Sequence, residues 1–229
     1  MTKKETKNLY AVLTGDIAGS SRLQGEERIK LLKSLKDSFR LVDKILGDVT
    51  AFPFEVFRGD GFQGVLKAPE LSLKAAIIIR AKIRSSFKTT LKDIIDARVA
   101  VGVGSISLFP EKTSGEGDGE AYRNSGPELD KMEKKSQLLL VKTPWENINS
   151  ELNVECALLN AIISRWSVEQ AEVLLLHLQG KTQAQIAESL NISQPGAGKR
   201  IRNANIEEIE LMLERFERLI RKNYNPVGL

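Results

Sequence analysis

Two aspartates stand where metal-bound phosphate would need carboxylates. Asp16 closes an apolar run, Leu9-Tyr10-Ala11-Val12-Leu13, and lies inside Thr14-Gly15-Asp16-Ile17-Ala18-Gly19-Ser20-Ser21. A buried strand ending there puts the carboxylate at a sheet rim. Ile17, Gly19, Ser20 and Ser21 then offer backbone N–H groups and hydroxyls to a phosphate at a helix N-terminus. Asp60 sits in Gly59-Asp60-Gly61, the tip of a hairpin within Phe54 to Leu66. If that hairpin lies beside the first strand, the carboxylates converge and suit Mg²⁺, which takes few protein ligands and shares phosphate oxygens with its substrate. Each aspartate alone also has a conformational reading. Asp-Gly is a favoured hairpin dipeptide, and a carboxylate near a helix N-terminus complements the helix dipole. Only the pair points to metal or nucleotide.

The elements that must position this pair follow from periodicity. Leu23, Ile29, Leu32, Leu35, Phe39, Val42, Ile45 and Leu46 recur at helical spacing over Ser21 to Leu46, and Gly47 ends that helix. Val49 to Phe57 and Phe62 to Leu66 form the hairpin, with Pro53 marking an edge or bulge. Pro69 opens a second helix through Phe87, with Leu73, Ala76, Ile77 and Ile83 on its stripe. Arg98 to Ile106, interrupted by Gly102 and Gly104, reads as a central strand that something approaches closely. The order βαββαβ is the ferredoxin-like arrangement of an α+β fold, with helices on one face of an antiparallel sheet. Beyond it, Phe109 to Glu120 reads as a mobile loop or lid and Pro127 as the first turn of a short helix to about Lys135. Gln137 to Lys142 makes a last strand, and residues 143–150 read as a linker. Residues 1–142 then form one domain and residues 151–229 a second.

At 229 residues the chain can bury a sizeable core, and one medium and one small domain is the natural division. A net charge of +4 permits nucleic acid without requiring it. The single cysteine, Cys156, excludes an internal disulfide and falls on an apolar helix face, as a buried thiol in a reducing compartment would. No stretch is long and apolar enough to span a bilayer, and the polar start from Met1 to Asn8 lacks a signal-peptide core. The expectation is a soluble, cytoplasmic protein without a membrane partner. His177 has no His or Cys at ligand spacing and reads as an ordinary helix residue.

The set Gly15-Asp16-Ile17-Ala18-Gly19-Ser20-Ser21, Gly59-Asp60-Gly61-Phe62 and Arg98-Val99-Ala100-Val101-Gly102 resembles the catalytic domain of class III adenylate and guanylate cyclases. With Asp118-Gly119-Glu120-Ala121-Tyr122 added, it resembles the SatD family more closely. The cyclase resemblance implies that Asp16 and Asp60 bind metal and that Ile17 to Ser21 hold a triphosphate. It also exposes departures. Val56 stands where cyclases place a purine-reading lysine. Asn124 matches their asparagine, but Glu128 takes the place of the arginine four residues on. An anion there removes electrostatic stabilisation worth roughly 10² or more in rate. Arg58 and Arg123 are the candidate substitutes.

The second half carries its own pattern. Leu152, Cys156, Leu159 and Ile163 mark one amphipathic helix; Ser167-Val168-Glu169-Gln170 and Thr182-Gln183-Ala184-Gln185 are capping boxes for two more. Ala187 permits a close crossing, Asn191 tolerates a left-handed turn, and Ser193 caps a helix. This is helix-turn-helix spacing, and it resembles sigma-factor region 4 and LuxR-type regulators over Gln185 to Gln194. Ser193, Gln194, Gly196, Lys199, Arg200 and Arg202 are the candidate contacts to duplex DNA. Gly196 and Gly198 each cost roughly 1 kcal/mol in a helix relative to Ala. The Ile206, Ile209, Leu213, Phe216, Ile220 stripe either packs on the module or pairs two chains, and a homodimer through it is expected. The resulting reading is an α+β, ferredoxin-like and class III cyclase-like domain followed by an all-α helix-turn-helix domain. It would bind DNA as a transcriptional regulator and sense a nucleoside triphosphate with Mg²⁺; the alternative is a nucleotide-processing enzyme with an accessory helical domain.

Overall fold

The computed structural model describes residues 8–57, 59–88, 95–134 and 137–224. Strand β1 (Leu9–Ala18) is central, flanked by antiparallel β3 (Gly61–Leu66) and antiparallel β4 (Asp96–Leu108). Strand β2 (Thr50–Phe57) is the edge beyond β3, and the order is β2-β3-β1-β4. That is the order the ferredoxin-like reading requires. A two-residue β5 (Asp118–Gly119) extends it, and β6 (Leu139–Lys142) pairs with β4 in parallel. Register shifts on either side of Phe52 place Pro53 in an irregular stretch of the edge strand, where its missing N–H costs no ladder bond.

Alternation along β1 separates the two faces. Ala11, Leu13 and Ile17 join the main core with α1 (Gly25–Leu46) and α2 (Ser72–Ser86), whereas Val12 meets Val65 and Ala121 on the other side. Helix α3 (Glu120–Lys134) covers that second face. It lies directly on β4: a Cβ at Gly104 would come within 2.7 Å of the Ala121 nitrogen, and one at Gly102 within 2.6 Å of the Ser125 nitrogen. The close neighbour expected of those glycines is α3.

Three expectations need correction. Helix α3 begins at Glu120 rather than Pro127, which lies inside it. Hydrogen bonds from Thr14 to Ser125 and from Asn124 to the Val103 carbonyl fix the first turns on the sheet, and this tertiary packing overrides the proline signal. The 109–120 stretch is folded: a Thr113/Glu116 capping box closes a turn, Ser114 is buried, and its N–H donates to the Glu55 carboxylate. Residues 143–150 do not form a linker. Asn149 and Thr143 bond each other reciprocally, and α4 (Glu146–Ile163) starts within the segment.

Helices α5 (Val168–Leu178), α6 (Gln183–Ser189), α7 (Gln194–Asn203) and α8 (Ile206–Asn223) complete the chain. Their apolar side chains belong to the same continuous core as α1 and α2. Cys156 is buried as expected, and burial pushes its thiol up to about 12. His177 is half-buried with its Nε2 2.7 Å from Glu210. The α8 stripe expected to pair two chains is spent within one, since Ile206, Ile209, Phe216 and Ile220 are buried in this core. Among the described residues no helix is long and apolar enough to cross a membrane.

The two halves are joined by charge as well as packing. Asp96 is fully buried and accepts from Arg80 Nη2 at 2.7 Å and Arg84 Nη1 at 3.2 Å. Arg84 Nη2 then donates to the carbonyls of Ser164 (2.9 Å) and Trp166 (2.6 Å). Asp96→Ala leaves two buried guanidiniums without their counter-ion, and such a loss costs about 3–5 kcal/mol. Urea denaturation should show a fall of that order, with tryptophan fluorescence reporting the helical half.

Candidate functional site

The sheet brings the two aspartates to one corner. The last β1–β3 pair is Gly15 with Phe62, so the Ile17 N–H lies beyond the ladder. Asp60 fills the gap: its Oδ2 accepts the Ile17 N–H at 3.1 Å and docks the hairpin tip on the end of β1. Asp16 faces the cross-strand partner Arg98, whose Nε donates to Oδ1 at 2.9 Å, and Arg28 Nη2 lies 3.6 Å from Asp60 Oδ1. Both carboxylates therefore sit among guanidiniums. Among the described residues no group of three or more His, Cys, Asp or Glu could hold a metal. Two hard carboxylates suit Mg²⁺ only when phosphate supplies further oxygens.

The phosphate turn differs from expectation in one respect. Gly19 adopts φ 84°, a conformation that glycine tolerates, and Ser20–Arg22 form a single 3₁₀ turn. Helix α1 starts only at Gly25, with Glu26 and Glu27 in its first turn. The N–H groups near Ser20 and Ser21 thus belong to a tight turn rather than to the long helix. Ile17 is buried, Gly19 and Ser20 are half-buried, and Ser21 is exposed.

The cyclase-like departures have structural partners. Asn124 Nδ2 is bound to the Val103 carbonyl at 2.9 Å. Burial opposes ionisation of Glu128, but hydrogen bonds from Lys131 and Lys142 outweigh it and hold the carboxyl below the usual range. Arg123 pairs with Asp118 at 2.7 Å. Arg58 lies outside the described residues.

A cleft of about 1130 Å³ opens beside the corner, lined by Leu32, Glu55, Val56, Gln63, Ser114 and Tyr122 among others. Sequence reasoning missed Gln63 and Glu55, which stand in no motif, and read Tyr122 only as part of the Asp118 to Tyr122 segment, without a place in a cleft. Gln63 was legible only as the strand position facing the same way as Asp16.

In the helical half, both capping boxes form, and Asn191 takes φ 50° in the 190–193 turn. Ser193 Oγ accepts from the Gly196 N–H at 3.2 Å. Gln194, Lys199 and Arg202 are exposed, whereas Arg200 is half-buried. Gly198 is buried: a Cβ there would come within 2.8 Å of Gln183 Nε2, which itself donates to the Gln194 carbonyl. Its role is the close crossing of α6 and α7.

The model of the SatD family matches residues 10–213. The chain belongs to the SatD family. Similar solved structures include the monomeric guanylyl cyclase domain of the RhoGC fusion protein from the aquatic fungus Blastocladiella emersonii, at 20% identity and TM-score 0.37, covering 56% of this chain and 75% of that one. The catalytic core of a rhodopsin-guanylyl cyclase with converted specificity, in complex with ATPαS, is similar at 18% identity and TM-score 0.38, covering 58% and 76% respectively. No curated protein matches the chain.

Asp60→Ala should expose the cost of an unpaired Ile17 N–H, about 1–3 kcal/mol, while Asp60→Asn, which keeps an acceptor oxygen, should lose less. Hydrogen exchange at the Ile17 amide distinguishes the two. In the turn beside the cleft, backbone N–H groups of Lys112 and Thr113 hold the Glu116 carboxyl below the usual range. A depressed folded pKa contributes above the unfolded pKa and is lost as pH falls through the folded value. NMR shifts of those two amides should therefore stay constant from neutral pH down to the glutamate range, move only below it, and lose that titration in Glu116→Gln.

Proposed function

We propose that the chain binds a nucleoside triphosphate with Mg²⁺ at the corner where the hairpin tip meets the end of β1. The observation that carries this reading is the Asp60 to Ile17 N–H hydrogen bond, which fixes one carboxylate beside the residue that follows the other. Asp16 and Asp60 would hold the ion, and the Gly19, Ser20 and Ser21 turn would receive phosphate, the Ile17 N–H being already given to Asp60. Bound Mg²⁺ supplies charge neutralisation to the phosphates. Arg98 and Arg28, already at the carboxylates, add positive charge for the phosphate oxygens. Cyclisation is not part of the proposal, since Glu128 and Asn124 are engaged elsewhere. Titration calorimetry with Mg·ATP and Mg·GTP should give saturable binding that Asp16→Asn weakens. Incubation with Mg²⁺ or Mn²⁺ should release no cyclic nucleotide above background. Absence of binding to either nucleotide overturns the reading, and product that vanishes in Asp60→Ala favours an enzyme.

A second reading concerns α6 and α7. The αL turn at Asn191, the Ser193 cap and the close Gly198–Gln183 crossing leave Gln194, Lys199 and Arg202 exposed on one short helix. This is the form in which a second helix enters the major groove of duplex DNA, and a regulator would couple it to the nucleotide corner. Fluorescence anisotropy over a salt series should show affinity falling steeply with salt. The Lys199→Ala/Arg202→Ala pair should reduce the number of phosphates neutralised by about two. Binding that is salt-independent removes the reading.

A further inference from the structure

We propose that one chain by itself houses a whole nucleotide, its base seated in the cleft between the β2–β3 hairpin and the 113–116 turn, where Gln63 and Tyr122 read the base edge. The inference rests on the phosphate corner proposed above and assigns the part of the ligand that the corner leaves undefined.

The argument begins with hydrogen-bond direction. The Ser125 hydroxyl donates to the Tyr122 carbonyl at 3.2 Å, and the Thr14 hydroxyl donates to Ser125 Oγ at 3.0 Å. Thr14 has spent its proton, so it can only accept from Gln63. The amide nitrogen must therefore face it, and Nε2 does so at 2.8 Å. This fixes Gln63 Oε1 as an acceptor. Gln63 is 8% exposed and lines the cleft, and its Oε1 has no hydrogen-bond partner among the described residues. Tyr122, which also lines the cleft, has a hydroxyl in the same condition. Burial pushes the phenol up to about 12, so it keeps its proton and can donate.

Buried polar atoms are rarely left unpaired, and here two remain, one a fixed acceptor and one an available donor. Their complement is a planar group that presents an N–H beside a carbonyl or ring nitrogen. A nucleobase edge has that pattern. The 113–116 turn is tied to the hairpin through the Ser114 N–H and the Glu55 carboxylate at 2.8 Å, so ligand entry displaces that bond.

The two subsites adjoin. Thr14, which orients Gln63, and Asp16 project from the same face of β1 two residues apart, roughly 7 Å. Gly59 lines the cleft, and Asp60 follows it in the corner. Base and phosphates can thus be held by one chain.

The test is titration calorimetry of the full chain with Mg·ATP, Mg·GTP and Mg·tripolyphosphate, for the native protein, Tyr122→Phe and Gln63→Leu. At least one nucleotide should bind at one site per chain, about tenfold or more tighter than tripolyphosphate. Each variant should remove most of that difference and leave tripolyphosphate affinity unchanged. Tyr122→Phe keeps the experiment decisive if Gln63→Leu fails to fold, because its lost hydroxyl bonds nothing among the described residues; thermal melting should show it as stable as the native chain. Equal affinity for nucleotide and tripolyphosphate, native affinity in Tyr122→Phe, or half a site per chain overturns the inference while the phosphate corner stands. Failure of nucleotide and tripolyphosphate alike overturns both.

Discussion

The buried Asp96 carboxylate is the constraint on which the rest of the molecule depends. It lies at the first residue of β4, fully enclosed, with a guanidinium on either side. Two cations and one anion leave a positive charge in a dry region, which is costly unless dipoles offset it. The carbonyls of Ser164 and Trp166 do so for Arg84. The helical half is therefore held by a charge that has nowhere else to be solvated. Trp166 extends the arrangement, since its Nε1 donates to the Ala204 carbonyl at 3.0 Å, at the end of α7. The orientation of α7 is set from the sheet outward.

The same strand also serves the candidate site. Two residues beyond Asp96, the register pairs Arg98 directly with Asp16, and the Arg98 Nε donates to that carboxylate. One end of β4 thus anchors the helices with one side chain and supplies the cation of the corner with another. A two-residue slip of β4 against β1 would place Asp96 opposite Asp16, setting two carboxylates against each other. Electrostatics thus favours this register in addition to the apolar pattern.

Much of this was legible in the sequence, for identifiable reasons. The strand order followed from the βαββαβ pattern, and Gly47, the Pro53 irregularity, both capping boxes and the Asn191 turn obeyed local rules that tertiary packing did not disturb. That Asp60 docks beside Asp16 was foreseeable from a hairpin tip lying next to the last residues of the first strand, although β1 runs two residues past Asp16. What escaped was set by contacts distant in sequence. Arg80 and Arg84 sit on the stripe of Leu73 and Ile77, so two charges at apolar positions signalled a buried counter-ion, but Asp96 could be paired with them only in three dimensions. Pro127 misplaced the start of α3 because the bonds that begin it come from Thr14 and Val103 on the sheet. Residues 143–150 read as a linker where Asn149 folds back on Thr143. Gly198 read as a weak point of a helix, and its value lies in Gln183, which it allows to pass.

The guanidiniums at the corner decide the form in which a metal could enter. Arg98 is largely buried, with its Nε on Asp16 Oδ1, and Arg28 lies near Asp60. A bare divalent ion arriving at those carboxylates would stand within a few ångströms of two fixed cations. Like charges at that separation repel by about 4 kcal/mol at an effective dielectric of 20, for unit charges 4 Å apart. A polyphosphate brings several negative oxygens that can be shared between the ion and the arginines, turning the repulsion into a network of charge-assisted contacts. On the proposed reading, the corner would disfavour free metal and favour metal that arrives already bound to phosphate. Mg²⁺, which dehydrates reluctantly and travels with nucleoside triphosphates, meets that condition better than an ion that demands a protein cage.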